Sequence, residues 1–164
     1  MTGDFTHIDE EGQAQLVDIG SKPDTLRRAR ARGSIHLSDE TIAAIQDDRV
    51  GKGDVLTTAR IGAINAVKHT WEAIPMCHQI PITNIDTDFT LDRRSVTMEV
   101  TVETIGKTGC EMEAIHGVSI GLNVIWDMVK SIEKDERGQY PGTSIQSVEV
   151  IEKTKQSIEP PADK

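Results

Sequence analysis

An α+β domain is predicted, with one antiparallel sheet, two long helices on a single face and a short extra helix. Three observations predict it. Residues 26–37 alternate with a period of two, and residues 85–102 hold two more alternating runs around a polar turn. Two long segments with helical periodicity, 55–73 and 111–133, stand between and after these strands. Third, a last alternating run covers 145–151, so the long elements read strand, helix, strand, strand, helix, strand. That order is the split βαβ arrangement, ferredoxin-like βαββαβ.

Each element has its own justification. Residues 1–22 are polar, carry turn residues and read as an N-terminal arm. In the first strand Leu26, Ala29, Ala31, Gly33, Ile35 and Leu37 are taken as the apolar or small face, and Arg28, Arg30, Arg32, Ser34 and His36 as the basic one. Ser38 is placed to cap a short helix through about Gln46. Gly51-Lys52-Gly53-Asp54 then breaks the chain, and Asp54 caps a helix over 55–73 that Ile74-Pro75 ends. Ile85, Thr87, Phe89 and Leu91 alternate, Asp92-Arg93-Arg94 turns, and Val96, Met98, Val100 and Val102 alternate again, which is a β-hairpin. After the second long helix, 134–143 is a loop, 145–151 the last strand, and the polar run from Lys153 onward a frayed end. The expected organisation is an arm (1–22), a single catalytic domain (23–155) and a flexible tail (156–164).

Bulk properties narrow the function. A chain of 164 residues is long enough for one domain with a real core, and with only five aromatic residues that core must be aliphatic. A formal charge of -9 argues against general nucleic-acid binding, so an anionic ligand must be held by a local cluster of Lys and Arg. Cys77 and Cys110 are too few for a disulfide framework or a four-cysteine metal site. No basic-then-apolar leader opens the chain and no apolar run is long enough for a membrane span, so a cytoplasmic protein with no membrane partner is expected.

Several groups could carry chemistry. Gly106-Lys107-Thr108 resembles the end of a phosphate loop, but Thr101 stands where that motif needs its first glycine. Met76-Cys77-His78 lies in a loop bounded by Pro75 and Pro81; His78 is either an acid, base or phosphate donor, or a histidine satisfied by backbone carbonyls. A zinc site at Cys77 and His78 lacks a second ligand pair, so no metal is expected. Lys52, Arg60 and Lys68 mark the first long helix, each a solvated charge unless the fold brings it beside the second one; Lys68 could also pair with Glu72. Glu111 and Glu113 suit the second helix's start through its dipole, with or without a function, and His116 reads as structural.

Asp127, Lys130 and Lys134 share one helical face, and their neighbours Ile125, Trp126, Met128 and Val129 are apolar. Asp127 with Lys130 is either a surface ion pair worth a few tenths of a kcal/mol or a desolvated proton-transfer pair. The apolar setting favours the second, with a lowered lysine pKa. Glu113 and Asp127 are separated by ~21 Å along a straight helix, too far for one compact substrate to touch both in a single chain. Either they do separate jobs or a second subunit completes each end.

The runs K-G-D-V-L-T-T-A-R-I (52–61), W-E-A-I-P-M-C-H (71–78), G-K-T-G-C-E-M-E-A (106–114) and D-M-V-K (127–130) closely resemble molybdenum cofactor biosynthesis protein C, the cyclic pyranopterin monophosphate synthase family. The likeness spans about residues 6–155. It implies a homohexamer, a trimer of dimers with sites at the dimer interface, and conversion of the 3′,8-cyclised dihydro-GTP to cyclic pyranopterin monophosphate and diphosphate. It also implies that Met76, Cys77, His78, Met112 and Glu113 hold the substrate, and that Asp127 is the acid/base. Lys52, Lys68, Lys130 and Lys153 are implicated around it, with Glu111 beside them. Where relatives carry K-S-G-G-K-S-G, this chain has Lys153-Thr154-Lys155-Gln156. The implied reaction fits the residue set: lysines and a histidine neutralise a triphosphate, and Asp127 with Lys130 moves protons. It needs no redox step and no cofactor.

Overall fold

The computed structural model describes residues 12–158, so residues 1–11 of the arm and 159–164 of the tail lie outside it. The elements are β1 (Thr25–His36), α1 (Asp39–Gln46), α2 (Val55–Lys68), α3 (Thr70–Ala73), β2 (Ile82–Asp92), β3 (Ser95–Gly106), α4 (Glu111–Glu133) and β4 (Ser144–Ser157). The sheet order is β2-β3-β1-β4 with every pair antiparallel, the ferredoxin-like topology. α2 and α4 pack against each other, and α4 lies on β1 and β3.

Strand alternation puts the core on one side of the sheet. Ala29, Ala31 and Ile35 of β1 and Val96, Met98, Val100 and Val102 of β3 are fully buried, facing Ala114, Val118, Leu122, Ile125 and Val129 of α4. Each buried Leu, Ile or Val contributes roughly 1.5–3 kcal/mol. Leu26 has the parity of the arginines and is exposed, so it belongs to the opposite face from the one expected for it. On that face Arg30 sits 3.2 Å from Glu99, and Arg32 2.8 Å from Glu149.

Small residues bring the two long helices together. A Cβ on Gly62 would meet Val124 Cγ2 at 2.8 Å, and one on Gly121 would meet Ala63 Cβ at 3.4 Å. The helices run antiparallel: Lys52, just before α2, reaches Asp127 near the end of α4, and Thr70, just after α2, bonds His116 near its start. α4 thereby spans two chemically different ends.

Two boundaries differ from expectation. The helix expected over 55–73 breaks at His69, because side chains take the carbonyls of its last turn. His69 Nδ1 lies 2.7 Å from Asn65 O, and Thr70 Oγ1 donates to both Ala66 O and Val67 O. The last strand does not stop at 151 but pairs with β1 as far as Ser157 opposite Thr25. The edge of β1 needs hydrogen-bond partners whatever the side chains are, so the polar residues from Lys153 to Ser157 are strand, not frayed end. Two register shifts accommodate the longer β4, with Ser147 at φ 53° in one of them.

Candidate functional site

The loop that follows α3 and the turn before α4 face each other across a cavity of about 250 Å³. Met76, Cys77 and His78 line it from one side, and Glu111, Met112 and Glu113 from the other. α4 begins without a side-chain cap at Cys110, so its first-turn carboxylates are aimed at the helix start. They behave differently. Burial pushes Glu111 up, but the hydrogen bond and charge of Lys153, 2.5 Å from Glu111 Oε1, hold it below its ordinary value. Glu113 is 4% exposed, and burial, reinforced by the charge of Glu111, raises it to about 7. Burial also raises the thiol of Cys77, with Glu113 and Glu111 adding to the shift, so Cys77 is a poor thiolate.

His78 Nε2 lies 2.8 Å from the Val17 carbonyl, which is the satisfied-histidine alternative. Lys153, reached only because β4 continues to Ser157, sits at the cavity's edge through Glu111. Among the described residues, no three His, Cys, Asp or Glu side chains converge in a way that could hold a metal ion.

A second cluster occupies the other end of α4. Asp127 is gripped by two ammonium groups, with Lys130 Nζ 2.7 Å from Oδ1 and Lys52 Nζ 2.8 Å from Oδ2. Lys52 Nζ also donates to the Asp127 main-chain carbonyl at 2.6 Å. The hydrogen bonds from Lys130 and then Lys52 lower the carboxyl to about 2. Lys130 is raised in turn by its hydrogen bond to Asp127 and by that group's charge. This overturns the expectation of a desolvated pair with a lowered lysine pKa: the side chains of Asp127 and Lys130 are 58% and 49% exposed. The apolar neighbours Ile125, Met128 and Val129 point inward, one helical face away. A sequence-local apolar neighbourhood is not a spatial one.

Lys68 joins neither cluster. It is exposed on the last turn of α2, beside residues 82–85 of β2. Arg60 is structural, donating to the Thr87 carbonyl and hydroxyl at 2.5 Å each, with its guanidinium 5.5 Å from the Phe89 ring centre.

Residues 16–156 match the MoaC family, which is most of the chain and both clusters. The chain belongs to the MoaC family. Its relatives include a protein of Natronomonas pharaonis named "Probable cyclic pyranopterin monophosphate synthase", 63% identical over 155 residues, which cover 94% of this chain and 97% of that one. A protein of Halobacterium salinarum with the same name is 64% identical over 151 residues, 92% of this chain and 93% of the other. One from Methanothermobacter thermautotrophicus, 54% identical over 152 residues (93% and 95%), is named "Probable cyclic pyranopterin monophosphate synthase accessory protein".

In this MoaC-family chain the expected site residues therefore fall into two groups and one outlier. Sequence reasoning missed the N-terminal side of the cavity. Val17, Ile19 and Lys22 line it, although residues 1–22 read as an arm. The available signal was the apolar run Leu16-Val17 with Ile19, too short to have a period.

Proposed function

We propose that this chain is a cyclic pyranopterin monophosphate synthase, a phosphorus–oxygen lyase. It converts (8S)-3′,8-cyclo-7,8-dihydroguanosine 5′-triphosphate to cyclic pyranopterin monophosphate and diphosphate, in the cytoplasm. The likeness at 63–64% identity over nearly the full length of named relatives carries this reading. The geometry supplies parts that suit it. The cavity between Met76–Cys77–His78 and Glu111–Met112–Glu113 receives the heterocycle, and Lys52 and Lys130 stabilise the departing diphosphate oxygens. Asp127, ionised between them, is the proton acceptor. Bonds are rearranged within one substrate, and no electrons are gained or lost.

The active form in this reading is a homohexamer, a trimer of dimers, as the family resemblance implies, and the ~21 Å between the two clusters on one helix calls for a second copy at each site. A second copy brings the Asp127 end of one chain to the cavity of another. Among the described residues no helix is long and apolar enough to cross a membrane.

A second reading, an accessory role without turnover, is favoured by the name of the Methanothermobacter relative. One experiment separates them. Purified protein is given the cyclised dihydro-GTP, and pyranopterin and diphosphate are measured, with Asp127→Ala and Lys130→Ala alongside. The lyase reading expects both products from wild type and at least a hundredfold loss in each variant, on the order of a general acid–base contribution. Wild type that forms neither product, or variants at full rate, would sink it.

A further inference from the structure

The segment before β1 crosses the mouth of the cavity and is tied at two points. His78 Nε2 donates to the Val17 carbonyl at 2.8 Å, and Lys107 Nζ donates to the Lys22 carbonyl at 2.5 Å. These anchors come from the loop after α3 and from the turn before α4, the two elements that build the cavity. Any ligand in the cavity therefore also faces this segment.

Charge decides what the segment adds. Glu111 and Glu113 line the cavity, and the ammonium of Lys153 is spent on Glu111. Among the described residues Lys22 is the single lysine or arginine lining the cavity, and none of their ion pairs engages it. His78 has committed one ring nitrogen to the Val17 carbonyl, which leaves its other nitrogen for a ligand. A triphosphate-bearing substrate requires charge-assisted donors at each phosphate. An acidic cavity with one uncommitted ammonium at its mouth offers that donor in one place.

We infer that Lys22 is a further substrate-binding residue, carried to the cavity by the segment over residues 14–22 and contacting a phosphate oxygen of the bound nucleotide. The inference rests on the lyase reading and adds to it a residue, and a stretch of chain, that complete the phosphate site. The pinned main chain holds the Lys22 backbone in place, so binding orders only the side chain.

The test is steady-state kinetics on Lys22→Ala and Lys22→Arg with cyclised dihydro-GTP, with added diphosphate as a competitive inhibitor. Loss of one charge-assisted contact is expected to raise KM, and the inhibition constant of diphosphate, about tenfold in Lys22→Ala. kcat should stay within about twofold, since the contact is made in ground and transition states alike. Lys22→Arg should recover most of the loss. Lys22 is exposed, so thermal melts of both variants should overlay wild type. Unchanged KM in Lys22→Ala, or a fall in kcat at constant KM, overturns the assignment while leaving the lyase reading standing. Wild type without turnover overturns both.

Discussion

Replacing Glu113 with Gln should make the protein more stable at alkaline pH and leave it unchanged in acid. The carboxyl is 4% exposed and titrates at about 7, against an ordinary value of 4.5. An unfolded chain loses this proton near 4.5, while the folded chain keeps it until about 7. Between those values the folded state binds more protons, so stability falls as pH rises and the full penalty is present above 7. At 1.36 kcal/mol per pKa unit the penalty is about 3 kcal/mol. Gln has the same shape and no charge to desolvate, so it removes the penalty. At pH 8 the variant should melt about 5–10 °C higher for a chain of this length, with no difference near pH 4. Melts at fixed protein concentration across pH 4–8 read this directly. A shift of equal size at every pH, or destabilisation at pH 8, would refute the burial argument.

The remaining predictions address assembly and packing. Mixing Glu113→Ala with Asp127→Ala, after confirmed subunit exchange, should restore up to about a quarter of wild-type activity, since half of the randomly formed dimers carry one intact composite site. No recovery would count against a shared site. Gly33→Ala should cost about 1–3 kcal/mol in denaturant titrations, because the new Cβ lands 2.8 Å from Val118 Cγ1 and 2.9 Å from both Leu122 Cδ1 and Val148 Cγ2. Gly51→Ala, which meets nothing within 4 Å, should stay within ~0.5 kcal/mol of wild type, and equal effects at the two positions would contradict the packing account.

Much of the fold was legible because long elements obey a single period. α4 occupies the predicted 111–133, since its apolar residues recur every three to four positions from Ala114 to Val129. α1 begins after Ser38 as expected, with Ser38 Oγ accepting from Thr41 N at 3.1 Å. The errors share a different cause, which is competition that periodicity does not carry. α2 stops at Lys68 because Thr70 and His69 bond backward onto its carbonyls, although the residues up to Ala73 favour helix. β4 runs to Ser157 because β1 presents an open edge, a fact about another strand. The site was legible as a set of residue types. Which of them meet, and which are wet, was not: Lys68 reads like Lys52, yet only Lys52 lies where antiparallel helices bring it to Asp127. Val17 and Lys22 were hidden in a segment with no period at all.

The proton inventory of the isolated chain adds a second argument for the proposed composite site. At neutral pH Asp127 has no proton to give, and being held at about 2 it is also a weak base. Lys130, raised by that same carboxylate, keeps its proton and is a weak acid. Among the described residues, the carboxyl that titrates near neutrality is Glu113, which burial has already tuned, and it faces the cavity at the opposite end of α4. A rearrangement needing both acceptance and donation of protons near pH 7 is therefore poorly served by the lysine–aspartate cluster alone. It is well served once that cluster is brought out of water beside the Glu113 cavity. Desolvation then raises Asp127, and the substrate's phosphates compete for the two ammonium groups that hold it down. A helix does not fold back to make that meeting, and the proposed composite site takes its second half from another copy of the chain for that reason.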